Sequence, residues 1–237
     1  MRNFLKKTLP LLLILICSNA WAEITITDTP DWSNTVFPET YTVGTRSNRL
    51  LVAKLLWFGG TDRNVSACTF DGVSLTKAVG SHFDIGGFFL TVEIWYLLNP
   101  NSGAKSFDYT LDGAVNGRFS SLQSVEGARQ TGQPVSTSTA TGNSATPVTT
   151  NITTNKEKCW IFDDIVNGGG WTSITAQSPQ VDGASTFSSY KGPVGEGQNS
   201  MTWNATGSTQ WNHALASFAP APETALYSGT LYNATIN

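Results

Sequence analysis

The 237-residue sequence predicts an all-β protein, a two-sheet antiparallel β-sandwich with a jelly-roll-like order of about ten to twelve strands. Short apolar runs with a period of two recur between Gly, Asn and Pro turns, and no stretch has helical periodicity. Charged residues make up only 13% of the chain, whereas Ser, Thr, Asn and Gly are abundant. A helical domain would need more Ala, Leu, Glu and Lys, so composition and periodicity agree.

The first 22 residues have the pattern of a secretory signal peptide. Three basic residues precede an apolar run over residues 9–16, and Ala20-Trp21-Ala22 offers small residues for cleavage. The run is too short to span a bilayer comfortably, so we predict a secreted or cell-surface protein without membrane insertion. A lipoprotein acylated at Cys17 is the alternative, although Ile16 is bulky where a small residue is preferred.

The mature chain is acidic. Removing Arg2, Lys6 and Lys7 with the signal peptide leaves 11 Lys and Arg residues against 17 Asp and Glu residues, a net charge of −6. The sequence contains no basic run, so binding to nucleic acid or to an anionic membrane lacks an electrostatic basis. We therefore predict neither as a partner.

The strongest strand signal lies at residues 88–98 and ends at Asn99-Pro100. One face of this run is uniformly apolar and carries Leu90, Val92, Ile94, Tyr96 and Leu98. The other face is mixed and carries Thr91, Glu93 and Trp95. We predict the central strand of the sandwich, with one face in the core and the other partly wet.

A second strong strand is predicted at residues 50–58, before Gly59-Gly60. Lys54 lies on the same face as Val52 and Leu56. Lys54 and Glu93 are the lone charges within the two strongest strands, which suggests a cross-strand pair worth under ~1 kcal/mol if exposed.

The remaining elements follow from alternation and turn residues. An edge strand is predicted at 24–29, a tight hairpin around Asp71-Gly72, and further strands at 106–111, 119–126, 158–166, 186–190, 200–205 and 211–218. Residues 131–150 are rich in Thr, Ser and Gly and predict a loop with one weak strand, not a domain boundary. We therefore predict one domain over residues 23–220 and an extended tail over 221–237, whose alternation suits pairing with a sheet edge.

Two cysteines remain in the mature chain, Cys68 and Cys159. In an oxidising compartment we predict that they form one disulfide, contributing about 2–4 kcal/mol. Two free buried thiols are the alternative.

Four segments, at residues 47–52, 70–76, 92–97 and 211–214, resemble the strand and turn pattern of secreted β-sandwich modules from bacterial and phage surface proteins. The resemblance covers roughly residues 42–220. It implies a lectin-like jelly-roll sandwich, and it implies no defined active site.

Aromatic residues are the most suggestive class for function, because seven of the eight tryptophans belong to the mature chain. A flat indole suits the apolar face of a sugar ring, and we predict Trp171, Trp95 and Trp32 as ligand-binding residues, together with Glu93. Trp171 is favoured most, because it follows a triple-glycine loop. Core packing of each tryptophan, and a simple ion pair of Glu93 with Lys54, are the alternatives.

The sequence lacks the minimal parts of common catalytic sites. It contains no Gly-x-Ser-x-Gly, no His-Glu-x-x-His and no phosphate-cradling loop. Of the two histidines, we predict His213 in the core and His82 in a loop. We predict no cofactor, while calcium at Asp163-Asp164 stays an alternative without the usual ligand spacing.

The leading hypothesis is thus an exported, non-enzymatic β-sandwich that binds a glycan or another surface ligand. The alternative is a self-assembling extracellular subunit whose C-terminal tail adds a strand to its neighbour. A glycosidase acting through paired carboxylates is the third hypothesis.

Overall fold

The computed structural model describes residues 23–26, 31–34, 36–143, 147–169, 174–176, 180–182, 186–205, 207 and 210–222. These residues form antiparallel strands and no helix, which confirms the predicted all-β sandwich class. In chain order the strands are β1 (Thr25–Ile26), β2 (Asp31–Asn34), β3 (Glu39–Val43), β4 (Leu50–Gly59), β5 (Val65–Phe70), β6 (Val73–Ser74), β7 (Thr76–Asp84), β8 (Phe89–Leu98), β9 (Gly103–Leu111), β10 (Gly117–Glu126), β11 (Ser136–Gly142), β12 (Val148–Thr154), β13 (Cys159–Asn167), β14 (Ile174–Thr175), β15 (Gln180–Asp182), β16 (Thr186–Val194), β17 (Gly197–Ala205) and β18 (Trp211–Phe218).

The strands build four sheets, more than the two expected from the sequence. Sheet I has the order β1-β10-β4-β8-β7, with β2 also paired to β10, and sheet II has the order β3-β9-β5-β6. Sheet III has the order β11-β18-β13-β16-β15, and sheet IV has the order β12-β17-β14.

The sheets are layered in the order II, I, III, IV, as their shared cores show. Leu51, Leu55 and Trp57 of sheet I pack with Phe70 and Phe107 of sheet II. The opposite face of sheet I contributes Leu50, Val52, Leu56, Leu90, Val92, Ile94 and Val125 to a core with Phe162, Val166, Tyr190, Ala214, Ala216 and Phe218 of sheet III. Sheet III in turn packs on sheet IV through two smaller clusters. Sheets I and III are therefore covered on both faces, which explains why β4 and β13 are apolar on both sides.

The two halves of the chain repeat one strand order. Sheet I contains the path β10-β4-β8-β7, and sheet III contains β18-β13-β16-β15. Sheet II contains β3-β9-β5, and sheet IV contains β12-β17-β14. If β3, β4, β5, β7, β8, β9 and β10 are matched to β12 through β18, every pairing among these strands of the first half has its counterpart in the second. The described part of the chain thus contains two sandwiches of similar topology that share the core between sheets I and III.

Two local predictions are confirmed. Asp71 and Gly72 have φ angles of 51° and 74° and join β5 to β6, where Phe70 pairs with Val73. This is the positive-φ turn that Asp-Gly favours between strands. The apolar face of β8 also lies in the core, since Leu90, Val92 and Ile94 are buried.

Residues 131–150 differ from the sequence prediction. Two strands lie in or across this region, β11 and the first part of β12, instead of one weak strand in a loop. Their alternating Thr and Ser side chains are short, so the apolar period that marks the other strands is absent. β8 also lies beside the edge strand β7 and not at the centre of sheet I.

The predicted disulfide is wrong, because both cysteines are free and buried. Cys68 packs in the core between sheets I and II, whereas Cys159 packs in a core between sheets III and IV. Two further layers of strands separate these cores, which the spacing in sequence does not reveal. Burial raises the pKa of both thiols above the ordinary value.

The predicted signal peptide, residues 1–22, and residues 223–237 of the predicted tail lie outside the described residues. Within the described ranges, no helix is long and apolar enough to span a membrane.

Candidate functional site

The mixed face of β8 carries the candidate site, at the edge of sheet I where β7 pairs with β8. Gly80 of β7 lies opposite Glu93, and His82 lies opposite Thr91. Gly80 and the side chains of His82, Thr91 and Glu93 therefore lie on one face, because directly opposed residues on neighbouring strands point the same way. A register shift between Lys77 and Val79 brings Lys77 to the same neighbourhood.

Glu93 is the centre of this group, which we call the Glu93 cluster: Asp62, Lys77, His82, Glu93 and Trp95. Its carboxylate is 1% exposed and forms an ion pair with the Lys77 amine. The same oxygen, Oε1, lies 3.3 Å from His82 Nε2, and Oε2 accepts a hydrogen bond of 2.7 Å from Trp95 Nε1. Burial alone would raise the pKa of Glu93, but the hydrogen bonds from His82 and Lys77 outweigh it and lower the pKa below its usual value.

His82 joins two carboxylates. Its Nδ1 lies 2.5 Å from Asp62 Oδ1, while Nε2 faces Glu93. The ring also packs edge-on against Trp57, with 5.8 Å between ring centroids. The hydrogen bond to Glu93 raises the pKa of His82; burial opposes this effect, and Asp62 adds to it. The imidazolium form can donate to both carboxylates at once, so the site favours a charged histidine.

The cluster is open to solvent on one side. The side chains of Asp62, Lys77 and His82 are 46%, 41% and 22% exposed, in contrast to Glu93 beneath them. The core between sheets I and II contains residues of β4 and β10, but from β8 only Trp95 and Leu97 pack at its margin. The edge of sheet I thus extends past the cover that sheet II provides.

Gly80 makes room for this arrangement. A Cβ atom at this position would lie 2.7 Å from Lys77 Cε and 2.9 Å from Glu93 Cγ. Any side chain there would displace the lysine or the carboxylate, so the close approach requires glycine.

The predicted pairing of Lys54 with Glu93 is wrong, although their strands are neighbours. The register places Lys54 opposite Ile94, and Glu93 opposite Leu55. The two charges therefore point to opposite faces of sheet I. Lys54 Nζ instead donates a hydrogen bond of 3.0 Å to Ser188 Oγ of sheet III.

The predicted ligand-binding residues are only partly brought together. Glu93 and Trp95 are in direct contact within the cluster. The backbone of Trp32 lies in β2, opposite Ser121, while its side chain and the whole of Trp171 fall outside the described part of the chain. Both stay predictions.

Three residues of the cluster were missed by sequence reasoning: Asp62, Lys77 and His82. The prediction of a loop for His82 is wrong, because it lies in β7. β7 does not show the apolar period of two that indicates a strand, because it contains polar residues, Gly80 and a register shift.

A second carboxylate cluster, the Asp163 cluster, is enclosed between sheets III and IV. Asp163 Oδ2 accepts from Trp203 Nε1 at 2.8 Å and lies 3.0 Å from His213 Nε2, and Oδ1 accepts from the backbone and hydroxyl of Ser189. His213 Nδ1 lies 2.8 Å from Thr150 Oγ1. Asp163 and His213 are completely buried, so this cluster has a structural role.

The directions of the Asp163 and Asp164 side chains also test the alternative that these two residues bind calcium. Asp163 faces sheet IV, whereas Asp164, the next residue of an extended strand, faces sheet I. The two carboxylates therefore do not form a pair. Within the described ranges, no group of three or more His, Cys, Asp or Glu side chains is arranged to hold a metal ion.

Chemically, the Glu93 cluster offers charged and hydrogen-bonding groups but no activated nucleophile. Both ring nitrogens of His82 face carboxylates, so neither is placed to activate a hydroxyl or thiol. The arrangement suits the binding of a polar ligand and the uptake of a proton.

Comparison with protein-family models, curated proteins and solved structures finds no match.

Proposed function

We propose that this protein is an exported, non-enzymatic β-sandwich that binds a glycan or another polar surface ligand through the Glu93 cluster. The proposal rests on one observation: the Lys77 amine, the Asp62 carboxylate and the His82 imidazole reach solvent around the buried Glu93. Sugar hydroxyls are both donors and acceptors, so a mixed set of this kind matches their chemistry. Localisation at the cell surface or in the medium follows from the predicted signal peptide and belongs to the same proposal.

Preorganisation supports the assignment. Glu93 contacts Lys77, His82 and Trp95 at once, which restricts the freedom of all three side chains before a ligand arrives. Groups that are ordered in the free protein lose less entropy on binding. The half-buried indole of Trp95 adds an apolar surface beside the charges, as sugar sites require.

The test is binding of the purified protein to a panel of polysaccharides and arrayed glycans. Lys77→Ala and Asp62→Asn should each weaken binding about tenfold, since a lost polar contact is worth roughly 1.4 kcal/mol. Lys105→Ala is the matched control, because Lys105 is 34% exposed in an ion pair with Asp71 on sheet II. Trp171→Ala tests the residue that the sequence favoured most.

Two results would contradict the proposal. The first is a wild-type protein that binds no polysaccharide or arrayed glycan. The second is binding that the Lys77 and Asp62 variants leave at the level of the Lys105 control.

The second candidate function is self-assembly, with residues 223–237 adding a strand to a neighbouring subunit. Sheet IV has three strands among the described residues, with β12 and β14 at its edges. β12 is seven residues long, and its side chains alternate between buried and exposed. An edge of this kind can accept a further strand. Deleting residues 223–237 should then convert oligomers into monomers on size-exclusion chromatography, and unchanged elution would remove the idea.

A further inference from the structure

The core between sheets I and III contains a buried polar cluster formed by Lys54, Ser121, Asp164 and Ser188. All four are at most 1% exposed. Lys54 Nζ donates to Ser188 Oγ at 3.0 Å, and Ser188 Oγ donates to Ser121 Oγ at 3.2 Å. Lys54 and Asp164 lie on β4 and β13, the central strands in the pairing orders of their two sheets.

The Lys54 amine reaches the strand that lies next to Asp164. Ser188, which accepts the hydrogen bond from Lys54, is the direct cross-strand partner of Asp164. Directly opposed residues of neighbouring antiparallel strands have Cβ atoms about 4.5–5.5 Å apart. The long lysine side chain therefore crosses the core from sheet I to the Ser188 hydroxyl on sheet III, and Asp164 lies at the same register on the adjacent strand.

Asp164 lacks the partners that a buried carboxylate needs. Neither of its oxygens has a hydrogen bond of good geometry among the described residues. Burial raises the pKa of Asp164; the positive charge of Lys54 and the nearby N–H of Ile165 oppose this effect without cancelling it. Burial likewise lowers the pKa of Lys54, against the opposing charges of Asp164 and Asp163. Both groups are thus shifted toward their neutral forms, an amine and a carboxylic acid.

We propose that Lys54 and Asp164 are a modification site, at which the two side chains condense to an amide that links sheets I and III covalently. The neutral Nζ turns from Ser188 to the protonated carboxyl group and attacks its Cγ, so a C–N bond forms and a C–O bond breaks. The departing hydroxyl group takes up one proton of the attacking amine and leaves as water. No oxidant, reductant or co-reactant is needed.

The environment favours this bond for a physical reason. In water, hydrolysis of an amide gains from the ionisation and solvation of the products. In the core, the products of hydrolysis would not gain this free energy, because an isolated buried charge is strongly disfavoured. An amide replaces two buried ionisable groups by one neutral group, whose N–H can still donate to Ser188.

Peptide mapping of the folded, purified full-length protein tests the proposal. Trypsin does not cleave after an acylated lysine, and the next sites around the two residues are Arg49, Arg63, Lys158 and Lys191. We expect a cross-linked species of residues 50–63 and 159–191, lighter than the sum of the two peptides by the mass of one water molecule. Fragmentation should place the link at Lys54 and Asp164.

Three variants serve as controls. Lys54→Arg and Asp164→Ala should lose the cross-linked species. Asp164→Asn should keep it, through loss of ammonia instead of water, because the carboxamide retains an electrophilic carbon; this variant keeps the test decisive if Asp164→Ala does not fold. Recovery of residues 50–54 and 55–63 as separate, unlinked peptides from folded wild-type protein would overturn the proposal.

Discussion

The Glu93 and Asp163 clusters use the same three groups in different surroundings. In each, a buried carboxylate accepts from a tryptophan Nε1, at 2.7 Å for Glu93 and 2.8 Å for Asp163, and contacts a histidine Nε2, at 3.3 Å and 3.0 Å. The Asp163 cluster is covered by sheet IV, and its histidine contacts the Thr150 hydroxyl. The Glu93 cluster lies at an edge strand, and its histidine contacts a second, exposed carboxylate.

This comparison separates an enclosed from an open arrangement of the same side chains. In the Asp163 cluster, every group has a hydrogen-bond partner that is neutral or buried. This cluster therefore stabilises the fold and cannot contact a ligand from solvent. At the edge of sheet I, the same carboxylate anchors groups that reach solvent. The side chains alone do not distinguish the two clusters; the cover provided by the neighbouring sheet does.

The largest expected effect is on the enclosed cluster. Asp163→Ala removes the acceptor for Trp203 Nε1, the Ser189 hydroxyl and His213 Nε2 from a completely buried site. We expect a loss of about 3–5 kcal/mol in the free energy of unfolding, measured by urea denaturation. Asp163→Asn, which keeps one acceptor oxygen, should lose less. A loss below ~1 kcal/mol in both variants would contradict the structural role.

The same change in the edge cluster should cost less. Glu93→Ala removes the acceptor for Trp95 and the partner of Lys77 and His82, but the last two can turn to water. We expect a loss of about 1–3 kcal/mol in urea denaturation. Glu157→Ala, at an exposed position, is the control and should change the unfolding free energy by under ~0.5 kcal/mol. A Glu93→Ala loss as large as that of Asp163→Ala would remove the contrast between the clusters.

The edge cluster should also respond to pH through His82. Because the folded-state pKa of His82 is raised, its stabilisation is present below the ordinary value of 6.5 and is lost as the pH rises through the folded-state pKa. The pKa of Glu93 is lowered, so its stabilisation is present above 4.5 and is lost as the pH falls through the folded-state pKa. The cluster should therefore stabilise most between pH 4.5 and 6.5.

The measurement is the difference in unfolding free energy between wild type and His82→Gln over a pH series. This difference should be largest inside that window and should shrink at alkaline pH. A difference that grows toward alkaline pH would show that His82 is not held as the cation.

The smallest effect is expected for Lys77→Ala. Lys77 is 41% exposed, so its ion pair with Glu93 is screened by solvent on one side. We expect a loss of under ~1 kcal/mol, reduced further at high salt. A small loss of stability together with a clear loss of glycan binding would identify Lys77 as a ligand contact. A large loss of unfolding free energy that does not depend on salt would identify it as a structural residue.

Much of the fold is readable from local patterns. The alternation over residues 88–98 and the Asp-Gly turn at residues 71–72 each specify a structure that the protein contains. Glu93 and Trp95 share a face because they are two residues apart in a strand, and that follows from the period alone. β11 is an exception, since a strand made of Ser, Thr, Ala and Gly has no apolar period.

Pairing between distant strands is what local patterns leave open. A shift of one residue in the register of β4 against β8 would bring Lys54 and Glu93 to the same face of sheet I, and nothing within either strand excludes that shift. The disulfide prediction failed for the same reason, because the separation of the two cysteines depends on the order of the four stacked sheets. The repeated strand order of the two halves is likewise invisible in the sequence, because β4 and β13 share an apolar character but not a residue pattern.

Period-two alternation and turn residues thus specify that this chain is all-β, where its strong strands lie, and which side chains share a face. Register, sheet order and cover arise from contacts between residues far apart in sequence, and these assign the partners of each buried charge. For that reason Glu93 contacts His82 and Lys77 at an open edge, while Lys54 crosses a closed core to Ser188, beside Asp164.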